Sequence, residues 1–306
     1  MMRDSYDRLV TVHAPGDRIL DVLVSGPGNG LPLVFHSGTP GGLVGFEPLV
    51  EAASARGLRT VLYSRPGYGG STPKPGRLVA DAAADVAAIL DQVGADQFVT
   101  AGWSGGGPHA LACAALLPGR CLAAASIAGA APYDSKALDW LDGMAEENVA
   151  EFGAAIAGEA DLTRFLEEAA GSLRDVGAAD VAENLGGLVS DTDKAVLNGD
   201  FAEYLAASLR AAVSAGIDGW RDDDLAFTRG WGFSVAALGG AAIAIWQGDE
   251  DRMVPRAHGD WLAANISMAR ARLLPGDGHL TLVVQRFGQI LDDLLDMAGM
   301  TRPTGR

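Results

Sequence analysis

Residues 99–111 read VTAGWSGGGPHAL: an apolar run stops abruptly at a serine, Ser104, flanked by Gly102, Gly105, Gly106 and Gly107, and a small-residue helical stretch follows. Glycine loses more conformational freedom on folding than any other residue, so this cluster weakens both the strand before it and the helix after it. Such a cluster is tolerable where the backbone must turn through angles, and approach itself at distances, that a Cβ forbids. The stretch therefore predicts a strand, a sharp turn carrying Ser104, and a helix. G-x-S-x-G in that setting is the pattern that lifts a serine hydroxyl above a sheet.

The remaining pattern fits an α/β chain. Residues 9–24 form two strand-like runs around Ala14-Pro15-Gly16-Asp17, a turn composition that predicts a β-hairpin. Short apolar runs at 31–36, 59–64, 97–101 and 122–127 then alternate with helical spacing at 47–56, 79–93 and 106–117. That alternation is the signature of βαβ units, a mostly parallel twisted sheet with helices on both faces. After Tyr133 the strand signal vanishes, and segments such as 138–156 and 162–173, rich in Ala, Glu, Asp and Leu, favour helix. Strand character returns at 241–246 and 271–274, and an amphipathic helix over 282–297 closes the chain. One sheet is thus interrupted by a helical insertion: core 1–131, insertion 132–229, core 230–306. A chain of 306 residues is long enough for this arrangement.

Charge and cysteine content remove several function classes. With 23 Lys+Arg against 39 Asp+Glu the net charge is −16, which repels nucleic acid and anionic membrane surfaces. The two cysteines, Cys113 and Cys121, form no C-x-x-C, and no Cys/His spacing matches a metal site, so neither a disulfide framework nor a metal is expected. The glycine-rich pieces at 26–30 and 67–70 fit neither G-x-G-x-x-G nor a P-loop, and no cofactor is expected. Residues 1–10 lack a signal-peptide apolar segment, and the longest near-apolar stretch, 234–246, is too short to span a bilayer. The expectation is a cytoplasmic protein.

A serine hydroxyl is a weak nucleophile at neutral pH and needs a base, itself oriented by a carboxylate. Of His13, His36, His109, His258 and His279, the last sits in Pro275-Gly276-Asp277-Gly278-His279, directly after the last strand. Asp251, with Asp249 as its rival, lies in the loop after the preceding strand, so the chain order is Ser104, Asp251, His279. A serine at a helix start also has backbone N–H groups beside it for a developing oxyanion. His109 reads as a packing or capping residue and Asp277 as a turn former. Asp222-Asp223-Asp224 reads as a solvated acidic loop, since three adjacent carboxylates cannot converge on one cation from a regular element.

Further segments carry a resemblance. His36-Ser37-Gly38-Thr39-Pro40-Gly41 resembles an H-G-x-P-G oxyanion loop, Ser64-Arg65-Pro66-Gly67-Tyr68-Gly69-Gly70-Ser71 resembles a D-x-P-G-x-G-x-S segment, and Gly230-Trp231-Gly232-Phe233 resembles a re-entry from cap to core. With the elbow, they make the chain similar over essentially its whole length to the α/β-hydrolase fold family with a helical cap. The resemblance implies Ser104 as nucleophile, His279 as general base, and Asp251 as orienting acid, because the family places its acid just before a V-P dipeptide, here Val254-Pro255. It also implies an oxyanion hole formed by the backbone N–H groups of Thr39 and Gly105. Ser37 and Ser64 depart from the family's usual His and Asp. Serine at the elbow excludes the aspartate-nucleophile branch. Trp103 either lines the acyl pocket or packs beneath the cap. The expected activity is cofactor-free hydrolysis of a small or medium carboxylic ester, the partner being a small-molecule acyl substrate. The nearest alternative is a proline iminopeptidase-like aminopeptidase, for which Glu146, Glu147 and Glu151 are available as ammonium-binding carboxylates. A lyase or ligand receptor that retains the triad is a third reading.

Overall fold

A computed structural model describes residues 7–300; six residues of the N-terminal segment read above for a signal peptide lie outside them. Eight strands form one sheet: β1 (Arg8–Ala14), β2 (Arg18–Ser25), β3 (Leu31–His36), β4 (Leu58–Tyr63), β5 (Phe98–Trp103), β6 (Cys121–Ile127), β7 (Ala242–Gly248) and β8 (Arg270–Leu274). Their order is β1-β2-β4-β3-β5-β6-β7-β8, antiparallel at β1/β2 and β2/β4 and parallel elsewhere. The sheet is mostly parallel with helices on both faces, the architecture expected from the sequence.

Two-residue periodicity distributes the strand side chains between two cores. Leu33, Phe35, Val99 and Ala101 point to one face, where α1 (Glu47–Ser54) and α12 (Phe287–Met297) contribute Leu49, Ile290 and Leu291. Val34, Val61 and Phe98 point to the other, where α2 (Asp81–Gln92) and α3 (Gly106–Leu116) contribute Val86, Ile89 and Leu111. Burial on both faces explains why the central strands read as continuous apolar runs rather than alternating ones.

Between β6 and β7, which pair with each other, lie six helices: α4 (Glu146–Ala157), α5 (Glu159–Leu173), α6 (Val181–Leu185), α7 (Asp191–Lys194), α8 (Gly199–Val213) and α9 (Asp218–Phe227). The helical segment therefore interrupts the sheet without breaking it. Its entry is pinned by the buried His258, which accepts from Ala131 N at 3.1 Å and donates to Trp140 O at 3.0 Å. Its exit is pinned by Trp231, whose carbonyl accepts from Ala80 N at 2.9 Å.

Three expectations shift in detail. β5 runs on through Trp103 rather than ending at Ala101, because Gly102 and Trp103 stay in register with Ser126 and Ile127 of β6. Residues 138–145 are non-helical, with a turn at 140–143, and α4 begins only at Glu146. The closing helix breaks at Arg286 into α11 (Thr281–Gln285) and α12. Between β7 and β8 the chain forms α10 (Arg256–Asn265), whose weak apolar pattern, interrupted by His258 and Gly259, concealed it in the sequence.

Candidate functional site

Ser104 occupies the turn between β5 and α3 at φ 57°, the left-handed region that a residue with a Cβ adopts only when its surroundings force it. The turn is held by Ser104 N donating to Ile127 O and by Gly107 N donating to Ser104 O, both at 2.9 Å. A Cβ on Gly102 would collide with the carbonyl of Gly106, so strand and helix close up only because that Cβ is missing. The glycine cluster thus has a local steric cause.

The loops after β7 and β8 bring Asp251 and His279 together. Asp251 Oδ2 lies 2.9 Å, and Oδ1 3.1 Å, from His279 Nδ1. The carboxylate is oriented by Met253 N and Val254 N, both donating to Oδ1 at 2.9 Å, and by Gln247 Nε2 donating to Oδ2 at 3.0 Å. An ionised carboxylate accepts only, so Nδ1 carries the proton and Nε2 is left as the proton acceptor. Burial alone would push the imidazole pKa down; the Asp251 carboxylate, helped by Asp193, outweighs it and raises the value above the ordinary one. Asp249, the rival acid, turns away: its Oδ1 accepts from Gly276 N at 2.7 Å.

Ser104, His279, Thr39, Gly105 and Trp103 all line one cavity of about 300 Å³, whose other walls are largely apolar, among them Trp140, Phe152, Tyr204 and Phe227. Trp103 does more than line it, since its Nε1 donates to His279 O at 3.1 Å. Among the described residues, no hydrogen bond uses the backbone N–H of Thr39 or of Gly105. A helix start leaves such donors available to an anion.

The expectation for residues 222–224 is corrected. They lie in α9, not in a solvated loop, and all three are buried at 3% exposure or less. Asp223 accepts from Arg65 Nη2 at 2.6 Å, Arg77 Nη1 at 2.6 Å, Tyr68 Oη at 2.9 Å and Thr39 Oγ1 at 3.0 Å. Burial would push this carboxyl up, but the Arg65 and Arg77 guanidiniums hold it well below the usual carboxylate range. Arg65 also donates to Ser37 O at 2.6 Å and Gly38 O at 2.9 Å, so the Asp223–Arg65 pair supports the loop that carries Thr39. His109 donates Nδ1–H to Gly105 O at 2.8 Å, and burial pushes its pKa down to about 3, which keeps it neutral. His36 is buried against Tyr63 Oη at 3.1 Å and is no rival base.

Asp224 faces the other way, into the cavity beside Glu151. Trp220 Nε1 donates to Glu151 Oε1 at 2.7 Å, whereas among the described residues no amide, hydroxyl or guanidinium donates to either oxygen of Asp224. Burial first, and then the neighbouring Glu151 and Asp223 carboxylates, raise the Asp224 pKa well above the ordinary carboxylate value. Glu146 is exposed, and Glu147 accepts from Gly187 N at 2.7 Å at the cavity rim. The three adjacent aspartates thus diverge: Asp222 accepts from its neighbour Arg221, Asp223 from the Arg65–Arg77 cluster, and Asp224 lies beside Glu151. Among the described residues no group of three or more His, Cys, Asp or Glu is placed to hold a metal ion.

Sequence reasoning missed Arg65, Asp193, Asp223 and Asp224. Their partners come from distant segments, 158 positions away for Arg65 and Asp223, so no local pattern marked them.

A family model described as "alpha/beta hydrolase fold" matches residues 32–285. A non-heme chloroperoxidase from Streptomyces lividans is 34% identical over 134 residues, 43% of this chain; the match spans about half of that relative, 49% of its length. An esterase from Thermogutta terrifontis, solved with malate bound, superposes with a TM-score of 0.68 at 20% identity, covering 95% of this chain and 99% of the other. A bromoperoxidase from Bacillus anthracis gives 0.67 at 21%, covering 94% and 100%. An enol-lactonase from Burkholderia xenovorans gives 0.65 at 19%, covering 94% and 100%. At these identities the likeness to the solved structures is one of fold.

Proposed function

The chain belongs to the alpha/beta hydrolase fold family, and from that premise we propose that it is a serine hydrolase that cleaves a small or medium carboxylic ester through an acyl-enzyme on Ser104. The observation that carries this reading is the convergence on one cavity of a serine at φ 57° on a strand-to-helix turn and a histidine bound at 2.9 Å to a buried carboxylate. Esterase and lactonase names among the superposed structures are consistent with it.

In the proposed reaction His279 Nε2 takes the Ser104 hydroxyl proton as Oγ attacks the acyl carbonyl. The backbone N–H groups of Thr39 and Gly105 hold the oxyanion, and His279 returns its proton to the leaving alcohol. Water, deprotonated by His279, then releases the acid. Asp251 stays ionised throughout, fixing the tautomer and stabilising the imidazolium. Residues 132–229 act as a cap that covers the site, and a cavity of about 300 Å³ limits the acyl and alcohol parts together to modest size.

The carboxyl pair Glu151–Asp224 favours a second reading, an aminopeptidase whose substrate ammonium would meet these acids. A panel of p-nitrophenyl esters and prolyl arylamides separates the two. Ester turnover that disappears in Ser104→Ala supports the first. Arylamide turnover without ester turnover overturns it.

A further inference from the structure

Asp193 lies in α7 of the inserted segment, is completely buried, and plays no part in the reaction as written. Its Oδ2 accepts from His279 N at 3.0 Å, and its Oδ1 accepts from Leu280 N at 2.7 Å and Thr281 N at 3.2 Å. Ser190, the N-cap of α7, donates Oγ–H to Oδ2 at 3.2 Å and steadies the carboxylate from the start of that helix. Among the described residues the charge is met by these donors and by no ion pair, since neighbouring Lys194 turns to Asp191. A buried carboxylate is tolerated when several N–H groups converge on it, and here three consecutive amides, from the loop after β8 into the first residue of α11, do so. The approach is so close that a Cβ at Gly278 would overlap the Asp193 carboxyl group.

The other side of the same residue is held as well, because Trp103, next to Ser104, donates to His279 O. The main chain of His279 is therefore gripped on its N–H side by the insertion and on its C=O side by the strand that carries the serine. Side-chain direction follows from backbone position, and among the described residues the imidazole hydrogen-bonds to Asp251 alone.

We propose that Asp193 is a positioning residue: it holds the backbone of His279 so that the imidazole faces Ser104 only while α7 is docked on the loop after β8. The inference rests on the reading of His279 as general base. It makes the inserted segment part of the machinery that aligns the proton acceptor, in addition to covering the site. Opening of the cap for substrate entry must then spare α7, or it disarms the histidine.

The test uses Asp193→Asn, with Asp191→Asn on the exposed side of the same helix as control. Both Asp193 oxygens accept N–H bonds, so an amide must present its NH₂ to at least one backbone donor. The charged groups that face His279 are Asp251 from the loop after β7 and Asp193 from α7, with the Trp103 ring 5.5 Å from the imidazole between centroids. Removing one of the two carboxylates lowers the imidazole pKa. The expected result is a fall in kcat of about 100-fold at unchanged KM, the scale of a displacement of about 1 Å in a reacting group. The acid limb of kcat/KM, and the NMR titration of the His279 imidazole, should both move to lower pH. Asp191→Asn should match the wild type in all of these.

If Asp193→Asn does not fold, Ser190→Ala removes one donor to the same carboxylate and should shift kcat and the titration the same way by a smaller amount. Coincidence of the imidazole titration in the variant and the wild type overturns the proposal. So does a loss of kcat with no movement of limb or titration, which generic loosening would produce. If the wild type hydrolyses no ester, the hydrolase reading fails, and the imidazole titration still decides the role of Asp193.

Discussion

Asp249 and Asp251 stand two positions apart in one loop, yet only Asp251 reaches the imidazole, because Met253 N and Val254 N draw its carboxylate inward while Gly276 N holds Asp249 at the surface. Asp251→Asn should lower kcat about 10⁴-fold by leaving the histidine in the wrong tautomer. Asp249→Asn should leave kcat within twofold, roughly the effect of a surface change. Steady-state kinetics of the two variants checks the assignment. The pH dependence follows from the raised His279 pKa. On the proposed reading the base must be neutral, so activity is expected to fall as the pH drops through that value, and the acid limb of kcat/KM should lie above the ordinary histidine value of about 6.5. For stability the sign is opposite. The charged imidazole's contribution is complete below about 6.5 and is lost as the pH rises through the folded-state value. Ser104, Asp251 and His279 were legible in the sequence because each sits in a Gly- or Pro-marked loop just after an apolar run. Asp193 and Asp223 were not, because an aspartate on a helix looks the same in sequence whether it meets water or a buried guanidinium.

Helix α9 shows how an element takes its meaning from what packs on it. Read alone, residues 222–224 are three charges in a row; folded, they are buried, with Asp223 against the loop that carries Thr39. Asp223→Ala would strand Arg65 and Arg77 without a counter-charge in the interior. The expected loss is about 3–5 kcal/mol of stability, read from denaturant unfolding, together with reduced kcat because Arg65 also holds Ser37 O and Gly38 O. Its depressed pKa means that this stabilisation is present above the unfolded value, about 3.9, and fades as the pH falls toward the folded one. The strand-turn-helix unit around Ser104 was far more legible, since its steric requirement is local: Gly102 must lack a Cβ to admit the Gly106 carbonyl. Helix α10 escaped notice for the converse reason. Its buried residues His258, Gly259 and Leu262 make too thin a stripe to read as amphipathic.

At the scale of the molecule, the sheet places the loops after β3, β5, β7 and β8 at the carboxyl ends of parallel strands, where open α/β sheets present their ligand sites. The order of the strands was not derivable from the sequence, because pairing β4 outside β3 is a long-range choice that no local signal encodes. The inserted helices complete the assembly, with Asp193 on the His279 loop and Asp223 on the Thr39 loop. The central claim is that all of this serves one activated serine. Labelling with a fluorophosphonate, followed by intact-mass and peptide analysis, tests it most directly. The account predicts one adduct per chain, located on Ser104, absent from Ser104→Ala and strongly slowed in His279→Ala. Equal labelling of Ser104→Ala, or an adduct on any other residue, would contradict it.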